Sequence, residues 1–87
     1  MKKATKETAA QSYETRRREI TAMLDFLKCE LDAHAERAKA DGLNWGYAGD
    51  LAHIRANLKE TLVFVMGGRD EEATGRMIES AIADALA

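Results

Sequence analysis

Two apolar stripes of helical period, separated by a short glycine-containing break, constrain this chain more than any other feature. Tyr13, Ile20, Leu24, Leu27, Leu31, His34 and Ala38 recur at steps of seven, then four and three. That spacing keeps them on one side of a single long helix. Tyr47, Leu51, Ile54, Leu58, Leu62 and Val65 repeat the pattern further on. Between the stripes stands Asp41-Gly42-Leu43-Asn44. Gly42 suits the left-handed position that ends a helix, Leu43 the apolar contact that follows it, and Asn44 the N-cap of the next helix. Leu43 is also placed to staple onto Ala48.

So short a link leads to an antiparallel helical hairpin. Folding the chain about Leu43 sets Leu31 against Ile54, Leu27 against Leu58, Leu24 against Leu62, and Ile20 against Val65. Both stripes stay in register along their length. Gly67-Gly68 ends the second helix. Asp70 is a further N-cap, with Glu71 and Glu72 in the first turn, where the helix dipole favours acids. A third helix follows with Met77, Ile78, Ala81, Ile82 and Ala85 on one side, its stripe weakened by Gly75 and by small alanines. The fold class expected is therefore all-α: a long hairpin with a shorter C-terminal helix. The helices are expected at about residues 5–40, 45–66 and 70–86 of one domain, with disorder anticipated in residues 1–10, which lack an apolar anchor. The chain contains no proline, and 32% of its residues are charged, which suits long solvent-facing helices.

At 87 residues a monomer of this kind is marginal, and oligomerisation relieves it. Met23, Phe26 and Ala33 on the first helix, and Val63, Phe64 and Met66 on the second, are surplus to the hairpin seam. A third helix and a second copy are expected to share in covering them, dimerisation being the main cause. The charge is unevenly spread. Residues 1–18 hold six basic side chains against two acids, a net of +4; residues 70–87 hold five acids against one arginine, a net of −4. The two ends can attract one another within a chain or between chains.

Cys29 is the single cysteine, so neither an internal disulfide nor a cysteine metal framework is available, and a reducing cytoplasm fits. The lysines near the start are not followed by the apolar run of a signal peptide. The longest apolar run, Leu62–Met66, is far too short to span a membrane.

Two places carry candidate binding residues. Asn44–Asp50 contains Trp45, Gly46, Tyr47 and Gly49 at a helix start. Free N–H groups there attract anions, glycines admit a ligand to the backbone, and the aromatic rings can stack on a base. The competing reading is steric: the glycines allow close helix packing, and Trp45 closes the end of the hairpin core. Asp50 opposes a phosphate, and Gly46-x-x-Gly49 lacks the Lys-Ser/Thr of a phosphate loop. The second place is Tyr13 with Arg16, Arg17 and Arg18. Arginine makes bidentate phosphate contacts and tyrosine stacks, but three consecutive arginines spread too far round a helix for more than two to face one ligand. The alternative is a solvated basic face offset by Glu14 and Glu19. An acidic chain with one such patch is a poor nucleic-acid binder.

His34 and His53, with Asp50 and Glu30 a turn away, raise zinc, yet His34 falls on the apolar stripe and no compact ligand motif is present. No metal or cofactor is expected. Ser12 and Ser80 lack a histidine at local spacing, and Cys29 has only Lys28 as a basic neighbour. Catalysis is not expected.

The run Asn44-Trp45-Gly46-x-x-Gly49-Asp50-Leu51-x-His53-Ile54, followed by Leu58 and a phenylalanine, resembles a pattern in small uncharacterised bacterial and phage or prophage proteins. The resemblance covers residues 43–67 and brings no assigned activity. It implies a small accessory protein, from a mobile element, that binds a host protein or sequesters a small ligand. The expected function is a non-enzymatic interaction protein that binds itself and another protein. The alternative is a small-ligand or nucleotide-binding oligomer that uses Tyr13, Arg16, Arg17 and the helix start at Asn44–Gly49.

Overall fold

The computed structural model describes residues 7–87. Among them are three α-helices and no strand: α1 (Ala9–Ala40), α2 (Trp45–Met66) and α3 (Glu71–Leu86). The all-α class and the bounds of α2 and α3 follow the expectations. The start of α1 does not. It was expected near Thr5, a position outside the described residues, whereas Glu7 and Thr8 are not helical. The reason is a capping box. The Thr8 hydroxyl oxygen accepts from the Gln11 N–H at 3.0 Å, and the Gln11 side chain accepts from the Thr8 N–H at 2.9 Å. Two orphan donors are satisfied at once, which sets the first turn at Ala9. The basic residues Lys2, Lys3 and Lys6, and most of the segment expected to be disordered, likewise lie outside the described residues.

The chain divides into two compact units, Met1–Gly42 and Leu43–Ala87. The first holds α1. Its last turn ends as expected, with Gly42 at φ +86° and Arg37 and Lys39 at the negative end of the helix dipole. Ala38 in that turn is buried, Leu27, Leu31 and Ala33 are half-buried, and Ile20, Met23, Leu24 and Phe26 are exposed.

The second unit is an antiparallel pair, α2 packed on α3. Asn44 caps α2 through a bond from the Gly46 N–H to its side-chain oxygen at 2.9 Å. Leu43 departs from expectation. It has φ +52° and is 68% exposed, and Ala48 is exposed as well, so the pair is not drawn into an interior. Gly67 ends α2 in the left-handed conformation at φ +66°, and Asp70 caps α3 by accepting from the Ala73 N–H at 3.1 Å. The turn is closed from inside. Thr74 is buried and donates its hydroxyl to the Asp70 carbonyl at 3.0 Å. One turn on, Ile78 is 5% exposed and forms the apolar centre of the pair.

Candidate interaction surface

The best-formed surface lies on the second unit, along the seam between α2 and α3. Folding the chain about Gly67 sets position 59 opposite 75 and position 55 opposite 79. At the first, a methyl group on Gly75 would stand 3.6 Å from Lys59 Cε, an ordinary contact. At the second, Arg55 holds Glu79 through two nitrogens, at 2.7 and 3.2 Å, and Lys59 reaches the same carboxylate at 2.8 Å. Glu79 thus accepts three charge-assisted bonds. They hold its carboxyl at about 2, against an ordinary 4.5, the Arg55 hydrogen bond being the largest cause and the Lys59 bond the next. The same bond raises the Arg55 pKa further. All three side chains remain open to solvent, so the clamp selects register more than it adds stability.

Beside the clamp, α2 and α3 frame an open trough of about 1170 Å³. Ala56, Val63, Phe64 and Gly75 supply its apolar part, and Glu60, Glu71 and Glu72 its acidic edge. The absence of a side chain at Gly75 gives the trough its width. Small-molecule sites are clefts or cavities of about 300–1,000 Å³; this trough is somewhat larger and open. Phe64, 85% exposed, stands at its rim.

The trough was not anticipated from the sequence; the candidate residues named there lie elsewhere. On α1, Tyr13 is 69% exposed, and Tyr13, Arg16, Arg17 and Ile20 fall on one side of the helix. Arg16 bonds Glu19 at 2.9 Å and Arg18 bonds Glu14 at 3.3 Å, the offsetting acids expected for a solvated basic face. In the first turn of α2, Trp45 is 90% exposed, and α3 does not cover it. As the first helical residue it projects into solvent. The Gly46 N–H is taken by the Asn44 side chain, and the Tyr47 N–H is bonded to the Asn44 carbonyl at 3.2 Å. Two of the donors an anion would use are therefore engaged within the cap. Within the α2–α3 unit no close neighbour stands at Gly49: a methyl group there would meet nothing within 4 Å. Tyr47 is half-buried.

The histidines form no metal group. His53 Nε2 lies 3.1 Å from the Asn57 amide nitrogen, one turn along the same helix. Among the described residues no three His, Cys, Asp or Glu side chains come together as metal ligands. Cys29 is a free, exposed thiol. Among the described residues no helix is long and apolar enough to cross a membrane.

The comparisons with known proteins bring no outside support for any of these sites. No family model, no curated protein and no solved structure matches this chain.

Proposed function

We propose that this chain is a non-enzymatic interaction protein of the cytoplasm that self-associates and acts by binding another protein. The observation that carries this reading is the end of α2. Leu62–Met66 is five consecutive apolar residues, more than one full turn, so that turn is apolar on every side. A helix that is apolar all round belongs in an interior. Here α3 leaves Phe64 and Val65 exposed and Leu62 and Met66 about half exposed. In the proposed assembly α1 folds back on α2 as an antiparallel hairpin, Leu27 against Leu58, and a second copy covers what remains. A phage or mobile-element accessory protein that modulates a host protein is the setting we favour, on the pattern at Asn44–Ile54.

The alternative is a nucleotide-sequestering oligomer. The exposed Tyr13 beside Arg16 and Arg17 favours it; the engaged donors at Gly46 and Tyr47 oppose it. Light-scattering mass and melting temperature, measured at low and high salt with and without a nucleotide panel, separate the two. The interaction protein forms a dimer whose melting point ignores every nucleotide. A nucleotide binder gains about 2.7 kcal/mol of stability at a hundredfold excess over its Kd. That gain would overturn the reading proposed here.

A further inference from the structure

We infer that the trough between α2 and α3 is the docking site for the basic N-terminal segment of α1 from a second copy of this chain. The inference rests on the self-association proposed above and names the surfaces that meet.

The first argument is length. α1 has 32 residues and α2 has 22, an excess of 10. At 1.5 Å per residue, about 15 Å of α1 extends past any antiparallel pairing with α2 of its own chain. In the proposed hairpin that excess is residues 9–18, which hold Tyr13, Arg16 and Arg17, and these side chains would have no partner surface on their own α2.

The second argument is the arrangement around α2. Leu51, Ile54, Leu58, Leu62 and Val65 fall on one side of the helix; Ala56, Glu60 and Val63 fall nearly opposite. One helix cannot cover both. If α1 of the same chain takes the leucine side, the trough side is left for another molecule.

The third argument is charge. The trough is lined by four acids, Glu60, Glu71, Glu72 and Glu79, and two cations, Lys59 and Arg76. Lys59 is committed to Glu79, and Arg76 stands 4.0 Å from Glu72. Among the described residues Glu60 and Glu71 are in no ion pair, so the edge carries a net negative charge beside exposed Phe64. The α1 segment presents the complement: Arg17 and Arg16, the latter bonded to Glu19, lie between Tyr13 and Ile20 on one face. Charge pairs fix register and exclude wrong partners, while the apolar side chains supply the contact area. In a twofold dimer the contact forms twice, each copy giving its α1 segment to the trough of the other.

A charge exchange tests this directly. One variant carries Arg16→Glu and Arg17→Glu; the other carries Glu60→Lys and Glu71→Lys. Each alone sets like charges against one another at both contacts and is expected to weaken self-association at least tenfold. An equimolar mixture matches opposite charges at both contacts and should recover the mass of a dimer, twice the 9.6 kDa of one chain. Circular dichroism confirms that each variant keeps its helices. If the lysine variant loses helicity, Arg17→Glu alone, on an exposed face, carries the test, and its undiminished dimerisation overturns the inference. Two variants that dimerise like the parent chain overturn it while self-association stands. Folded variants that stay monomeric when mixed also overturn it, because the charges then do not meet. A parent chain that is monomeric at every concentration overturns both this inference and self-association.

Discussion

Leu43 and the glycines show how single residues set the turns of this chain. Leu43 holds φ +52°, a region where an L side chain crowds the following carbonyl. Its side chain is 68% exposed, so little burial offsets that cost, and Leu43→Gly should raise stability by about 1 kcal/mol. An unchanged or lower melting temperature would show that its side chain is held by an unseen partner. Gly68 and Gly75 make opposite predictions. A methyl group at Gly68 would collide with the Thr74 hydroxyl, and Thr74 cannot swing away because it is buried and bonded to the Asp70 carbonyl. Gly68→Ala should therefore cost about 1–2 kcal/mol, the cost of overpacking a small interior. At Gly75 the new methyl meets only the flexible end of Lys59 at an ordinary distance. There Gly75→Ala should gain about 0.5–1 kcal/mol from helix propensity. Thermal melts of the two glycine variants that shift in the same direction would contradict the turn geometry.

At the scale of elements, the helices were legible because their ends carry local chemistry. Asn44, Gly67 and Asp70 each act through neighbours within four residues, and such signals survive in a bare sequence. The expected start of α1 took no account of caps; Thr8 with Gln three residues on is the local signal that marks it. The α2–α3 clamp was missed for a different reason. Arg55, Lys59 and Glu79 look like ordinary surface charges, and only folding the chain about Gly67 brings them together. Of the acids in the C-terminal stretch, Glu79 is taken by these nearer cations rather than by the basic N-terminal residues. The clamp has a pH signature. Glu79 titrates at about 2 when folded against an ordinary 4.5, so the folded state favours its ionised form. Its contribution is complete above about pH 4.5 and is lost as pH falls toward 2. Glu79→Gln should lower the melting temperature at pH 7 and leave a shallower decline between pH 5 and 2. Equal slopes for the two proteins would mean that the clamp does not form in solution. Ile78→Ala, which empties the apolar centre of the same pair, should cost about 2–4 kcal/mol at any pH.

At the scale of the whole molecule, the sequence carries a pattern that demands partners but does not name them. A stripe such as Leu24, Leu27 and Leu31 shows which side of α1 seeks cover; whether α2 of the same chain or a helix of another supplies it is decided by packing free energy, which no local signal records. The proposed hairpin makes a quantitative claim about that choice. If Leu27 packs on Leu58, truncating each to alanine removes a shared contact. A double-mutant cycle should then give a coupling of about 0.5 kcal/mol or more. Leu27 paired with Leu51, on the same stripe but two turns distant in that register, should give a coupling near zero. The concentration dependence of the cycle locates the partner. A contact within one chain keeps its coupling when the protein is diluted below its dimerisation midpoint, whereas a contact between copies loses it on dilution. Coupling to Leu51 rather than Leu58 would shift the register by two turns. Absence of coupling at both positions, at every concentration, would remove the α1–α2 hairpin and leave the α2–α3 pair as the folded unit to which α1 is joined.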